Sequence, residues 1–334
     1  MKRACLFFLC LLPALAAARA QAPPELNPQT SLENDLGRAL GFLLGQRITL
    51  NRVRAEFPDM ALRSRQAEAE FNLSFGAAET EIRKALRGMM GEEYAKFLAQ
   101  TESQLQTALA SRPVTRETAG NFLAEVESRA KGRLPSPVLE TLLTFQFMGR
   151  PAEEFARGYK RVYRTARHPK AKGVDFQISY PASWRPSEGE RPNIIQKFVS
   201  ENGRGSEMAM LMVKDIPAPP GYKVTQADLD DLFSEKELRG MVPAGGRLIS
   251  AKPIVLDGQK GGMVVFEQTL QRLDVSMTVR GVHFVTVRSG KMLFIQCMVY
   301  IRPGGDADMQ GRFGRFESVF RLIGNSFVLN DRYK

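Results

Sequence analysis

The chain divides by the period of its apolar positions. From Thr30 to Arg167 they recur at helical spacing, and no strand-like alternation interrupts them. Leu36, Leu40, Leu43, Leu44, Ile48 and Val53 form one stripe behind the capping pattern Thr30-Ser-Leu-Glu33. Phe57-Pro58-Asp59 breaks the stripe. A second helix runs toward Phe75-Gly76, and a third carries Ile82, Leu86 and Met89 on one face. Arg112-Pro113 and Pro135-Ser-Pro137 are further breaks, with Thr115 capping the helix between them. Val138–Met148 is so densely apolar that it is expected to be the central, most buried helix. Pro151, followed by Glu153 and Glu154, opens a last helix that the pattern carries to Arg167.

From Val174 the period changes to two. Val174, Phe176, Ile178 and Tyr180 alternate with Asp175, Gln177 and Ser179, as one strand with a buried face requires. Pro181 ends that ladder because it has no N–H to donate. Trp184, the single tryptophan, is expected to fold back under the strand. Residues 186–192 read as a polar loop. Ile194–Ser200 and Met208–Ile216 read as strands, and Thr225 caps a helix bearing Leu229, Leu232, Phe233 and Leu238. Four long strands follow, at 246–256, 262–270, 273–289 and 291–302, with Asp257-Gly258 and Ser289-Gly290 as tight turns. Met309, Phe313, Phe316, Phe320, Ile323 and Phe327 make the stripe of a final helix.

A strand running through Tyr-Pro into Trp184, followed by strands, a helix, four strands and a helix, resembles the PsbP-like and DcrB-like domains. The resemblance covers about residues 173–330. It implies an α/β/α sandwich with a central antiparallel sheet, and it implies no catalytic residues. The expected fold class is therefore α+β: a helical domain at 30–167, a linker at 168–173 and the PsbP-like domain at 174–334.

The first residues alter the charge and the compartment. Lys2 and Arg3 precede the apolar run Ala4–Ala18, and Ala18-Arg19-Ala20 is an A-x-A cleavage site. Residues 1–20 thus read as a secretory signal peptide cut at Ala20-Gln21, with a Pro-rich lead-in at 21–29. The alternative is a retained N-terminal anchor. Cleavage would lower the net charge from +11 to +8 and leave Cys297 as the one cysteine, so no intrachain disulfide is expected. The expected location is periplasmic or secreted, and nucleic acid is not an expected partner.

Candidate chemistry is sparse. His168 sits beside a Pro, and His283 lies among Val282, Phe284 and Val285; neither has a second ligand at zinc spacing. No nucleophile elbow, phosphate loop or dinucleotide fingerprint occurs. Asp306, Asp308 and Glu317 fall on the first, third and last positions of a calcium loop. Arg312 and Arg315 would repel the ion there, so helix capping by Asp306 or Asp308 is the better reading. No metal and no cofactor is expected. Arg157, Lys160, Arg161, Arg164 and Arg167 recur at three- and four-residue steps and would share one helical face. That face could attract an anionic lipid surface or an acidic partner, or simply be solvated.

The leading expectation is an exported, non-catalytic protein that binds a protein partner in the cell envelope. A carrier of small ligands or lipids, with a cleft between the domains or beside the sheet, is the second. A hydrolase built from scattered acids and hydroxyls is the third. A deep apolar pocket would favour the carrier, and converging carboxylates the hydrolase.

Overall fold

A computed structural model describes residues 28–217, 219, 222–272, 275–301 and 308–333. The expected signal peptide, its cleavage site and Asp306 lie outside the described residues. Contacts divide the chain into two compact units. Among the described residues, one holds those up to Lys160 together with Pro181–Arg185; the other holds Arg161–Tyr180 and those from Pro186 onward.

The helical unit contains α1 (Pro28–Glu56), α2 (Ala61–Met90), α3 (Glu93–Ala110), α4 (Arg116–Ala130), α5 (Val138–Gln146) and α6 (Pro151–Ala156). The expected stripe of α1 is buried at Leu36, Leu40, Leu43, Leu44 and Val53. It meets Phe71, Phe75, Ile82 and Leu86 of α2 in one core with Leu123, Val126, Leu142 and Leu143. Each such side chain contributes roughly 1.5–3 kcal/mol by leaving water. The helix packed against α1, α3, α4 and α5 is α2, which runs unbroken through Gly76. The short α5 is densely buried, as expected, but the long helices α1 and α2, each packed against the other and against α3, α4 and α5, are the central ones. Thr115 caps α4 in a reciprocal box with Thr118.

The turn Pro181–Arg185 belongs to this unit. Glu154, buried on α6, accepts the backbone N–H and the hydroxyl of Ser183, both at 2.7 Å. The N–H of Ala182 donates to the Tyr159 carbonyl at 3.0 Å. Trp184 is only 2 % exposed. Its turn is bound to α6 through Ser183.

The sheet unit is built on β1 (Lys160–Arg164), β2 (Phe176–Pro181), β3 (Arg185–Glu188), β4 (Ile194–Val199) and β5 (Glu207–Asp215). After these come α8 (Gln226–Leu232), α9 (Glu235–Arg239), β6 (Gly246–Leu256), β7 (Gln259–Arg272), β8 (Val275–Arg288) and β9 (Lys291–Ile301). The chain closes with α10 (Met309–Asn325) and β10 (Val328–Leu329). Between β4 and β5, the one-turn segment α7 (Ser200–Gly203) is helical only in its hydrogen bonding, since Glu201 and Asn202 adopt left-handed φ. A seven-stranded sheet runs β3-β4-β5-β9-β8-β7-β6, and a smaller one runs β1-β2-β10. All pairs from β4 to β6 are antiparallel. Helix α10 covers β8 and β9 on one face, and α9 covers β6 and β7 on the other. The turns at Asp257-Gly258 and Ser289-Gly290 both take the paired positive φ of tight hairpins.

Three expectations about local structure are corrected here. Helix α6 stops at Ala156, and the stretch expected to continue it to Arg167 is strand β1. The stretch 168–173 is not a free linker. Pro169–Ala171 is a 3-10 turn with Ala171 buried, and Lys170 donates to the Gly189 carbonyl at 2.5 Å. The loop expected at 186–192 contains β3, whose side chains are all exposed, so no apolar alternation marks it.

Candidate functional site

One opening in the described sheet unit lies on the α9 face of the large sheet. It is a pocket of about 620 Å³. Its floor follows from strand register. Gln296 on β9 stands opposite His283 on β8, which stands opposite Val264 on β7. One step along the same face, Met212 on β5 stands opposite Phe294, which stands opposite Val285. One step further, Lys214 stands opposite Met292. Met241, Val242 and Pro243, just after α9, form another wall.

His283 is the unusual group in this floor. It is 7 % exposed, and neither ring nitrogen has a hydrogen-bond partner among the described residues. Its ring lies 4.6 Å from that of Phe266 and 6.1 Å from that of Phe294, centroid to centroid. Gly281 makes room for this stack, because a Cβ there would come within 2.8 Å of the Phe266 ring. Burial, helped by the charge of Lys214, pushes the imidazole pKa down to about 3. At neutral pH the ring is therefore uncharged, with one nitrogen able to donate and the other to accept. An unpaired buried polar group costs roughly 1–3 kcal/mol, and few are tolerated.

The mouth is charged. Lys214 places its ammonium 5.2 Å from the Phe294 ring centroid. Arg191 and Asp215 also border the pocket. Asp215 is engaged by Lys172 and Lys291, whose hydrogen bonds pull its pKa down to about 2.

A second polar cluster is closed. Glu207 on β5 is fully buried and accepts from the Ser200 hydroxyl and from Arg312 Nε of α10, both at 2.6 Å. With Ser200 sealed, this cluster ties β5 to α10 and offers no access to a substrate.

The basic residues singled out by spacing do not share a helical face. Arg157 follows α6 and pairs with Glu153 at 3.5 Å. Lys160 lies 5.1 Å from the Phe155 ring centroid. Arg161, half-buried, faces Tyr180. Arg164 grips both oxygens of Asp175, at 2.7 and 3.1 Å. Arg167 occupies a turn with φ of 60°. Of the calcium-loop residues, Asp308 caps α10 by accepting the Gly311 N–H at 2.7 Å, and Glu317 pairs with Arg321 at 2.6 Å. Among the described residues no group of three His, Cys, Asp or Glu is placed to hold a metal. Cys297 is buried, and burial pushes its thiol pKa up, which suits a packing role.

The pocket residues themselves were missed by spacing. His283, Gln296, Lys214 and Arg191 come from four separate segments. The one available signal was His283 on a strand face otherwise made of Met277, Val279, Gly281, Val285 and Val287.

The fold is α+β, with N-terminal helices followed by an antiparallel sheet domain. No protein family matches the sequence, and no curated protein does. Among solved structures, the chain is similar to cyanobacterial PsbP (CyanoP) of Synechocystis sp. PCC 6803. That likeness has 17 % identity and a TM-score of 0.35, and covers 51 % of this chain and 92 % of that one. It is similar to LpqN, involved in cell envelope biogenesis of Mycobacterium tuberculosis, at 13 % identity and TM-score 0.31, over 54 % of this chain and 96 % of that one. It is also similar to the Ran-binding protein Mog1p of Saccharomyces cerevisiae, at 10 % identity and TM-score 0.30, over 52 % and 97 %. These likenesses cover about half the chain.

Proposed function

We propose that this chain is an exported, non-catalytic binding protein whose sheet unit holds one small, largely apolar molecule in the pocket over His283. The observation that carries this reading is a buried imidazole, unpartnered at both nitrogens among the described residues, that lines a pocket of about 620 Å³. That volume falls within the ~300–1,000 Å³ range of small-molecule sites, and a mostly apolar lining with few polar groups is their usual character. A bound hydroxyl, amide or carboxyl group would satisfy the orphaned nitrogens. Catalysis is less well supported. A general base works best with a pKa near the working pH, whereas His283 titrates near 3 and Asp215 is held by two lysines. The export part of the proposal rests on the sequence of residues 1–20.

The test is a titration with N-phenyl-1-naphthylamine, a neutral fluorophore that brightens in apolar sites. One equivalent should bind to the wild type. Gln296→Trp, which places an indole in the pocket beside His283, should abolish that binding at unchanged melting temperature. Equal binding by the variant would overturn the reading.

A second reading keeps the partner-binding surface. On α2, Leu62 and Leu73 are 69 % and 77 % exposed and about three turns apart, hence on one face. Leu62→Ser with Leu73→Ser should leave stability unchanged and remove specific cross-links formed in intact cells; unaltered cross-links would count against it.

A further inference from the structure

The pocket is polar at two levels and apolar between them. At one end His283 and Gln296 stand side by side on β8 and β9. In the middle are Met212 and Phe294, and at the far end Lys214 and Met292. Lys214 lies four residues along β5 from Met210, which is opposite Gln296. The Lys214 ammonium and the His283 ring lie 5.2 and 6.1 Å from the Phe294 ring centroid, so at most about 11 Å separates the two polar groups.

The charge at the mouth is unbalanced. Arg191, Lys214 and Asp215 border the pocket. The Asp215 carboxylate is already bonded by Lys172 and Lys291, two cations that do not line the pocket. Among the described residues, neither Lys214 nor Arg191 makes an ion pair, and the Lys214 ammonium rests over the Phe294 ring. Two cations therefore border an apolar wall with no anion among the described residues assigned to them.

We infer that the occupant of this pocket is an amphipathic anion. Its acid group lies with Lys214 and Arg191, its apolar body covers Met212, Met292 and Phe294, and a hydrogen-bonding group reaches His283. This rests on the binding reading above and narrows it to a ligand class. Lys214 disfavours a cationic ligand by like charge. A purely apolar ligand leaves the imidazole unpartnered, and a short acid cannot serve both levels at once. The site takes one molecule of limited size, so the acid is that of a small compound with a single apolar body.

Two dyes that share a skeleton separate the two claims. N-phenyl-1-naphthylamine and 8-anilino-1-naphthalenesulfonate differ only in the sulfonate. The full-length exported protein should bind the sulfonate about tenfold more tightly, the scale of one charge-assisted contact. Lys214→Gln should erase that preference by weakening the sulfonate far more than the neutral dye. Lys84→Gln, the same loss of charge on exposed α2 of the helical unit, should leave the preference intact. Raising salt should shrink the preference in the wild type and do nothing in Lys214→Gln. Equal affinities for the two dyes, or a preference that survives Lys214→Gln, would overturn the ligand class while the pocket reading stands. Binding of neither dye would overturn both.

Discussion

Two buried polar groups set the residue-scale energetics, and they differ in kind. His283 has no partner among the described residues, so the folded protein holds it neutral at a cost. Its folded pKa, about 3, lies below the ordinary value of 6.5. A depressed histidine leaves stability undiminished above pH 6.5 and lowers it as pH falls toward 3, because the unfolded chain takes up the proton first. The melting temperature of the wild type should therefore drop more between pH 7 and pH 4 than that of His283→Phe. At pH 7 the variant should be about as stable or more so by ~1 kcal/mol, since an apolar ring replaces an unsatisfied one. Equal drops in the two proteins would mean that water reaches the imidazole. Glu207 is the opposite case, buried but satisfied by Ser200 and Arg312. Removing one partner strands the charge, so Arg312→Ala should cost ~3–5 kcal/mol in denaturant unfolding. A cost below about 1 kcal/mol would show that Glu207 is protonated or hydrated instead.

Among the elements, the stripes of α1 and α10 and the four long strands were legible because burial there is one-sided and periodic. The segment 157–167 was not. Its cations fall at helical steps, but Val162 and Tyr163 between them favour a strand, and Gly158 supplies the stop after α6. Gly158 has a φ of 89°, which a residue with a Cβ adopts only under strain. Gly158→Ala should destabilise the protein by about 1 kcal/mol or somewhat more; no loss would mean that the α6–β1 corner relaxes freely. Strand β3 escaped notice for a different reason, since all its side chains are exposed and pairing alone defines it. Helix α2 passes through Gly76 because packing against four neighbours outweighs a glycine cost of ~1 kcal/mol. The candidate site was the least legible part. Its residues meet through strand register, which local spacing does not reveal.

At the scale of the whole molecule, the two units are not two consecutive halves. The Pro181–Arg185 turn returns to the helical unit after β2 has begun the sheet unit. Trp184, the sole tryptophan, sits in that turn and reports on it. Trp184→Ala should cost ~3–5 kcal/mol, as the loss of a buried large aromatic does. A fragment spanning residues 161–334 should show red-shifted Trp184 emission relative to the full chain, since Glu154 and the rest of α6 are gone. Unshifted emission would mean that the turn is held by the sheet unit alone.

The central claim is that a small molecule completes the pocket at His283. Side-chain ¹⁵N spectra address it directly, because the chain has only two histidines. His168 lies outside the pocket, where its Nδ1 accepts the Lys170 N–H at 3.2 Å. Titration with 8-anilino-1-naphthalenesulfonate should move the ring nitrogens of His283 and leave those of His168 in place, with saturation at one equivalent. A saturated complex in which the His283 nitrogens do not move would contradict the account.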